Sequence, residues 1–244
     1  MTVVDRTHRP FVSGLGLGRR IGEVLYQHED RGTAVGVLYG LSRILAEMPH
    51  ALVVMTPSDH AVGQPWQFRA GLSVAMSDLA QGRSGVVLFG AEPTTASSDY
   101  GWITAAPTGG SVRSVDTFVE KPTRAHAIDL LRTGAVLNTM VLLARASALE
   151  QLFIDHLPGH AAVFAHARKL PAGERDAFLR DEYPRLAPAD FSRDVLTHAP
   201  GLGLYTWPAS MGWCDLGTPE RYSLWSRALR HPVMTGAQHF AAAP

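Results

Sequence analysis

A chain of 244 residues, 46% of them hydrophobic, is long enough to form one large domain around a sizeable core. Lys plus Arg and Asp plus Glu are 22 each, giving a formal net charge of zero, which argues against a nucleic-acid-coating or acidic-membrane-binding role but permits a local phosphate site. The single cysteine rules out an intrachain disulfide framework and a cysteine-based zinc site. No apolar run reaches the length of a membrane span and the N-terminus has no signal-peptide core, so a cytoplasmic location is the expectation.

Thr2 to Asp5 opens the chain with almost no lead-in, as if it began inside a domain. Gly14, Gly16 and Gly18 alternate before Arg19 and Arg20, but the spacing is neither G-x-G-x-x-G nor Walker A, and a flexible turn is expected. Glu23 to Gln27 reads as a short strand, and Asp30-Arg31-Gly32 as a turn into a helix from about Thr33. In that helix Val37, Leu38, Leu41, Ile44, Leu45 and Met48 recur at three- and four-residue steps, predicting one buried face that ends at Pro49. Ala51 to Thr56 reads as a buried strand, so residues 23–56 predict a β-α-β unit. That strand runs into Pro57-Ser58-Asp59-His60. A carboxylate beyond a strand end is placed to hold a hard divalent cation. From this segment alone, an Asp that closes a turn is the simpler reading.

Further along, Trp66 to Ala80 predicts a helix with Leu72, Met76 and Leu79 on one side, and Gly85 to Gly90 a buried strand. Tyr100–Ala105 and Ser114–Val119 read as antiparallel strands around a turn at Pro107, Gly109 and Gly110. His126–Thr133 reads as a helix, Asn138–Ala144 as a strand and Ala146–Phe153 as the start of a helix; residues 156–190 read as helices broken by loops. Gly203–Trp207 is a predicted strand and Pro219–Leu229 a closing helix. No linker cuts the chain, so residues 1–230 are expected to form one domain, followed by a loose tail at 231–244.

Three fragments join Pro57-Ser58-Asp59-His60: Tyr100-Gly101-Trp102-Ile103; Phe118-Val119-Glu120-Lys121-Pro122 with Asn138-Thr139 beyond it; and Gly212-Trp213-Cys214-Asp215-Leu216-Gly217-Thr218. Singly each is ordinary: a turn, a solvated pair, a strand exit. In this order, with Arg31-Gly32-Thr33-Ala34 ahead of them and Asp190-Phe191-Ser192 and Thr218-Pro219-Glu220-Arg221 behind, the set resembles the sugar-1-phosphate nucleotidyltransferases, and most of all the mannose-1-phosphate guanylyltransferases. The likeness runs from about Val3 to Trp225.

The resemblance implies a nucleotide-diphospho-sugar transferase-like fold: a Rossmann-like, three-layer α/β/α arrangement with a mixed, mainly parallel sheet. It implies an enzyme that joins GTP and mannose 1-phosphate to GDP-mannose and pyrophosphate with Mg²⁺. Asp59 and Asp215 would be the metal ligands, and Lys121 would neutralise the sugar phosphate, making these three the catalytic set. Glu120 and Asn138 would hydrogen-bond sugar hydroxyls, and Gly101 would let the sugar approach the backbone. Gln27, Gly32 and Thr33 fall where the family touches the nucleotide. The partners implied are GTP and a sugar 1-phosphate, with no nucleic acid and no membrane; a homo-oligomer is left open. Cys214 has no base nearby in sequence to make it a nucleophile, and His60 suits either a phosphate contact or a structural hydrogen bond.

The chain departs from the family at its front. The family's opening strand and its G-x-G-x-R-[LM] loop, whose backbone N–H groups wrap the triphosphate, have no counterpart here. The sheet is therefore expected to lack its first central strand and to expose a hydrophobic edge. The chain as written is expected to release little or no pyrophosphate. A non-catalytic sugar-phosphate- or nucleotide-binding homologue, or a transferase for another sugar phosphate, are the alternatives.

Overall fold

The computed structural model describes residues 1–14, 22–107 and 109–230. The expected turn at Gly16 and Gly18 and the expected tail at 231–244 lie outside the described residues. In chain order the strands are β1 (Thr2–Asp5), β2 (Val24–Gln27), β3 (Leu52–Met55), β4 (His60–Val62), β5 (Val86–Ala91), β6 (Trp102–Ala105), β7 (Val112–Val119), β8 (Val136–Arg145), β9 (Gly203–Trp207) and β10 (Trp213–Asp215). The helices are α1 (Arg9–Gly14), α2 (Thr33–Glu47), α3 (Pro65–Ala80), α4 (Arg124–Arg132), α5 (Ala146–His156), α6 (Pro158–Lys169), α7 (Ala172–Glu182), α8 (Phe191–Asp194) and α9 (Pro219–Arg230). They fall into two compact units interleaved along the sequence, Met1–Leu52 with Arg145–Ala199, and Val53–Ala144 with the residues from Pro200 onward.

The first unit is mostly helical. Its β1 and β2 pair in parallel from Thr2 opposite Val24 to Asp5 opposite Gln27. The buried stripe of α2 runs through Ala34, Val35, Leu38, Leu41 and Leu45, one helical step from the predicted face, and Met48 is exposed beyond the helix end. Small residues decide this shift: at Gly40 a Cβ would lie 2.9 Å from Val3 Cγ2, so α2 meets the small sheet along its glycine side. Tyr39, Phe164 and Tyr183 form edge and tilted ring contacts beside α2. The break between α5 and α6 falls at Leu157-Pro158, where proline can open a helix but not continue one.

The second unit holds a six-stranded sheet in the order β3-β8-β5-β9-β7-β6, with an additional pairing of β6 to β8. It is mixed: β5 and β9 run parallel, whereas β5–β8, β6–β7, β6–β8 and β7–β9 are antiparallel. β5 is buried at every position, as its unbroken apolar run predicts. Ala75 and Leu79 of α3 pack on Phe89 and Trp207. Met76, assigned to the buried side from sequence, is 49% exposed, because α3 turns Gly71 and Ala75 to the sheet; a Cβ on Gly71 would meet Trp207 Nε1 at 2.7 Å.

Two expectations need correction. The strands flanking α2 do not enter one sheet: β2 pairs with β1, and β3 belongs to the six-stranded sheet. Nor is β3 a buried strand. It ends the sheet order, and Leu52 and Val54 are 43% and 44% exposed. Its apolar run alternates between a half-buried and an exposed row, which composition alone does not reveal.

The entry into α2 depends on one glycine. Gly32 has φ 84°, and a Cβ there would lie 2.3 Å from the Ala189 carbonyl oxygen. Around it Ala189 N–H donates to Arg31 O, Ala34 N–H donates to Ala189 O, and Phe191 N–H donates to Thr33 Oγ1. Gly32→Ala combines a glycine-only backbone conformation with a backbone clash and should cost about 2 kcal/mol or more. Chemical denaturation should show the first unit losing stability by that amount; an unchanged midpoint would contradict this account.

Candidate active site

The two candidate metal ligands are brought together by a short ribbon. β4 and β10 pair antiparallel, with Asp215 opposite His60, and the Leu216 N–H donates to Asp59 O at 2.7 Å just beyond the pairing. Gly217 then sits between the two carboxylates. A Cβ built there would lie 2.8 Å from Asp215 Oδ1 and 3.3 Å from Asp59 Oδ2, so both oxygens border the same small space. Only a glycine leaves that space open.

The carboxylates differ in setting. Asp215 is mostly buried and fully engaged: Oδ1 accepts from Gly217 N–H at 2.6 Å and Oδ2 from the Arg221 guanidinium at 2.8 Å. The Asp59 side chain is 56% exposed, and its Oδ1 lies 3.9 Å from His60 Nε2. Among the described residues no group of three or more His, Cys, Asp or Glu side chains could hold a metal ion alone. Two carboxylates with room between them still fit Mg²⁺, which keeps waters and takes substrate phosphate oxygens as its remaining ligands. Asp59 and Asp215 Oδ1 are the groups that would hold it.

His60 is oriented by its neighbours. Trp213 Nε1–H donates to His60 Nδ1 at 3.3 Å, and the rings meet edge to face. Burial holds the imidazole below its ordinary value, while Asp59, Asp215 and a backbone hydrogen bond at Thr139 pull weakly the other way. The neutral ring thus accepts from Trp213 through Nδ1, which is a structural role. Trp213 also packs edge-on against Tyr100, and the Arg221 guanidinium lies over the Tyr100 ring.

Tyr100 leads to Gly101, the centre of the candidate sugar cradle. A Cβ at Gly101 would lie 2.7 Å from Glu120 Oε2 and 3.0 Å from Phe118 Cζ, so the Glu120 carboxylate rests against bare backbone. Gly101 O accepts from Asn138 N–H at 2.7 Å. Asn138 opens an irregularity in the β5–β8 pairing: Gly90 faces Asn138 but Phe89 faces Val141, leaving Thr139 and Met140 bulged. Within the bulge Met140 N–H donates to Asn138 Oδ1, the Asn138 amide reaches Met140 Sδ, and Thr139 Oγ1 donates to Phe89 O. The Asn138 side chain is thereby held with its amide oriented, although the residue is 5% exposed. Lys121 is exposed and stands at φ 44°, a left-handed conformation costing about 1–3 kcal/mol in a residue with a Cβ.

The three nucleotide candidates lie in the other unit. Gln27 Oε1 accepts from Tyr183 Oη at 2.7 Å, Thr33 Oγ1 accepts from Phe191 N–H, and Gly32 faces Ala189. Each thus has a partner within its own unit. Sequence reasoning gives Arg221 and Asp99 no role, although Thr-Pro-Glu-Arg is among the matching fragments. The signal for Arg221 is its place in the first turn of α9, six residues after Asp215.

His28, at the end of β2, has its folded-state pKa lowered, first by burial and then by the nearby Arg180 charge, so protonation favours the unfolded chain. Its contribution is complete above the ordinary value of 6.5 and is lost as pH falls from there toward the folded-state pKa. His60, lowered chiefly by burial, adds to the same slope. Melting temperatures should therefore fall from pH 7.5 to 5, and His28→Gln should flatten part of that fall; parallel profiles would contradict the assignment.

The nucleotidyl transferase family profile matches residues 6–231. The xanthan biosynthesis protein XanB of Xanthomonas campestris pv. campestris is 29% identical over 208 residues, covering 83% of this chain and 43% of that protein. A mannose-1-phosphate guanylyltransferase of Sinorhizobium fredii is 30% identical over 186 residues, covering 72% of this chain and 34% of that protein. This chain thus spans less than half the length of either. A crystal structure from Thermus thermophilus described as a mannose-1-phosphate geranyltransferase superposes with TM-score 0.76 at 26% identity, covering 88% of this chain and 60% of that one. A mannose-6-phosphate isomerase from Helicobacter pylori shares the fold at TM-score 0.69 and 19% identity, covering 87% of this chain and 83% of that one. With the profile spanning nearly all of its length, the chain belongs to the nucleotidyl transferase family.

Proposed function

We propose that this chain binds a sugar 1-phosphate, with mannose 1-phosphate the favoured substrate, and takes part in the transfer of the GMP group of GTP to it, giving GDP-mannose and pyrophosphate. The observation that carries this reading is the convergence of Asp59 Oδ2 and Asp215 Oδ1 on the space beside Gly217, in a neighbourhood joined through Tyr100 and Trp213 to Gly101. The mannose preference rests on the name of the Sinorhizobium relative and on the ordered motifs.

In this reaction a sugar-phosphate oxygen attacks the α-phosphorus of the nucleotide. The new O–P bond forms in line as the bond to pyrophosphate breaks, and little covalent chemistry falls to the protein. Two polyanions must be brought together, so positioning and charge neutralisation dominate. Bound Mg²⁺ would supply charge neutralisation and phosphate orientation. Asp59 and Asp215 would hold it in place. Lys121 lies next in sequence to Glu120, and its exposed ammonium acts as a point charge on the sugar phosphate. Its left-handed backbone is strain of the kind that persists at functional positions. Glu120 and the oriented amide of Asn138 receive sugar hydroxyls, and the absence of a side chain at Gly101 lets the Glu120 carboxylate lie against the backbone there. Gln27, Gly32 and Thr33 are the residues for the nucleotide. Among the described residues no helix is long and apolar enough to cross a membrane.

Calorimetric titration of the chain with mannose 1-phosphate in Mg²⁺ tests this. Lys121→Ala removes one charge-assisted contact, worth roughly 1.5–3 kcal/mol, so its dissociation constant should rise at least about tenfold while its melting temperature stays put. Equal dissociation constants would remove Lys121 from the site. Tighter binding of a different sugar 1-phosphate would overturn the mannose assignment.

A further inference from the structure

Arg221 links three groups beside the two carboxylates. Its Nη1 donates to Asp215 Oδ2 at 2.8 Å and its Nη2 to Asp99 Oδ2 at 2.9 Å, while its guanidinium lies 5.2 Å from the Tyr100 ring centroid. The Arg221 side chain is 19% exposed, as against 64% for Asp99. One planar fork therefore joins α9, the end of β10 and the loop that runs into Gly101.

The division of labour on Asp215 is specific. Arg221 takes Oδ2; Oδ1, with Gly217 N–H on it, is the oxygen that borders the space shared with Asp59 Oδ2. Without the guanidinium, the carboxylate could turn about its Cβ–Cγ bond and lose that aim. A lysine ammonium is a point charge on a flexible stem, so it could attract both carboxylates but not fix their orientation as the planar fork does.

We propose that Arg221 is a positioning residue: it fixes the Asp215 carboxylate so that Oδ1 faces Asp59, and through Asp99 and Tyr100 it ties that aim to the loop bearing Gly101. This role rests on the reading of Asp59 and Asp215 as a cation site, but it adds a residue and a direction of effect that the reading alone does not contain. Electrostatics alone makes the opposite prediction, since removing a positive charge near the site would tighten cation binding. Partners that orient a ligating carboxylate typically contribute about 10–100-fold in metal affinity, which outweighs the relief of one partly screened repulsion.

The test is Mn²⁺ binding to the intact chain, read from the electron paramagnetic resonance signal of free Mn²⁺, with no turnover required. Asp59→Asn and Asp215→Asn should each weaken binding, which checks the cation site itself. Arg221→Gln should weaken it roughly tenfold or more, and Arg221→Lys should recover part of that loss. Asp99→Asn, an isosteric change at an exposed position, should leave the fold intact and cause a smaller loss. The double variant Asp99→Asn/Arg221→Gln should be no worse than Arg221→Gln alone, since both act through one network. Unchanged or tighter binding in Arg221→Gln, or additive losses in the double variant, would overturn the proposal while leaving the cation site standing. If Arg221→Gln fails to fold, the Lys and Asp99 variants decide: full affinity in both would overturn it. Indifference of Mn²⁺ binding to both aspartate variants would overturn the cation site and the proposal together.

Discussion

Two like charges cannot share a small space without compensation, and the pairing of Asp215 with Arg221 supplies it. At an effective dielectric of about 20, unit charges about 4 Å apart interact by about 4 kcal/mol. Asp59 and Asp215 both border the space beside Gly217, and the guanidinium neutralises one of them from the far side. The near side keeps its negative field, the kind of field that attracts a divalent cation. The rest of the neighbourhood is arranged around this pair. The β4–β10 ribbon sets the spacing of the aspartates, Gly217 keeps the gap open, and Trp213 fixes His60 beside it.

Backbone strain collects in the same region. Among the described residues the two non-glycine positions with positive φ are Lys121 and Met140. One carries the candidate phosphate-neutralising charge; the other closes the bulge that orients Asn138. Gly101 sits between these segments in space, with Glu120 against its Cα and Asn138 N–H on its carbonyl. Such strain is held by the surrounding sheet: β5 is buried throughout, and Thr139 Oγ1 locks the bulge to Phe89 O. A rigid scaffold that orients polar groups before a ligand arrives lowers the cost of organising them on binding.

Much of this is legible in the residues. The apolar run of β5, the helix of α2 bounded by Gly32 and Pro49, and the hairpin of β6 and β7 follow from periodicity and turn chemistry. The fragments that carry Asp59, Gly101, Glu120, Lys121, Asn138 and Asp215 stand out by another route, as an ordered set that resembles the sugar-1-phosphate nucleotidyltransferases. The misses have physical causes. β4 and β10 are three residues each, too short for any period to register. The buried face of α3 is set by Gly71 and Ala75, small residues that a search for large apolar side chains passes over. The return of Arg145–Ala199 to the first unit comes from helix packing between distant segments, which leaves no local mark. Arg221 is hidden because its meaning lies in two partners, one of them 122 positions away.

The most direct test of the central claim is a crystal structure of the chain grown with Mn²⁺ and mannose 1-phosphate, read by the anomalous signal of the metal. The account predicts one strong peak between Asp59 Oδ2 and Asp215 Oδ1, with Arg221 still on Asp215 Oδ2 and the sugar seated over Gly101. A metal peak elsewhere, or a sugar phosphate bound away from Gly101 and Lys121, would contradict it.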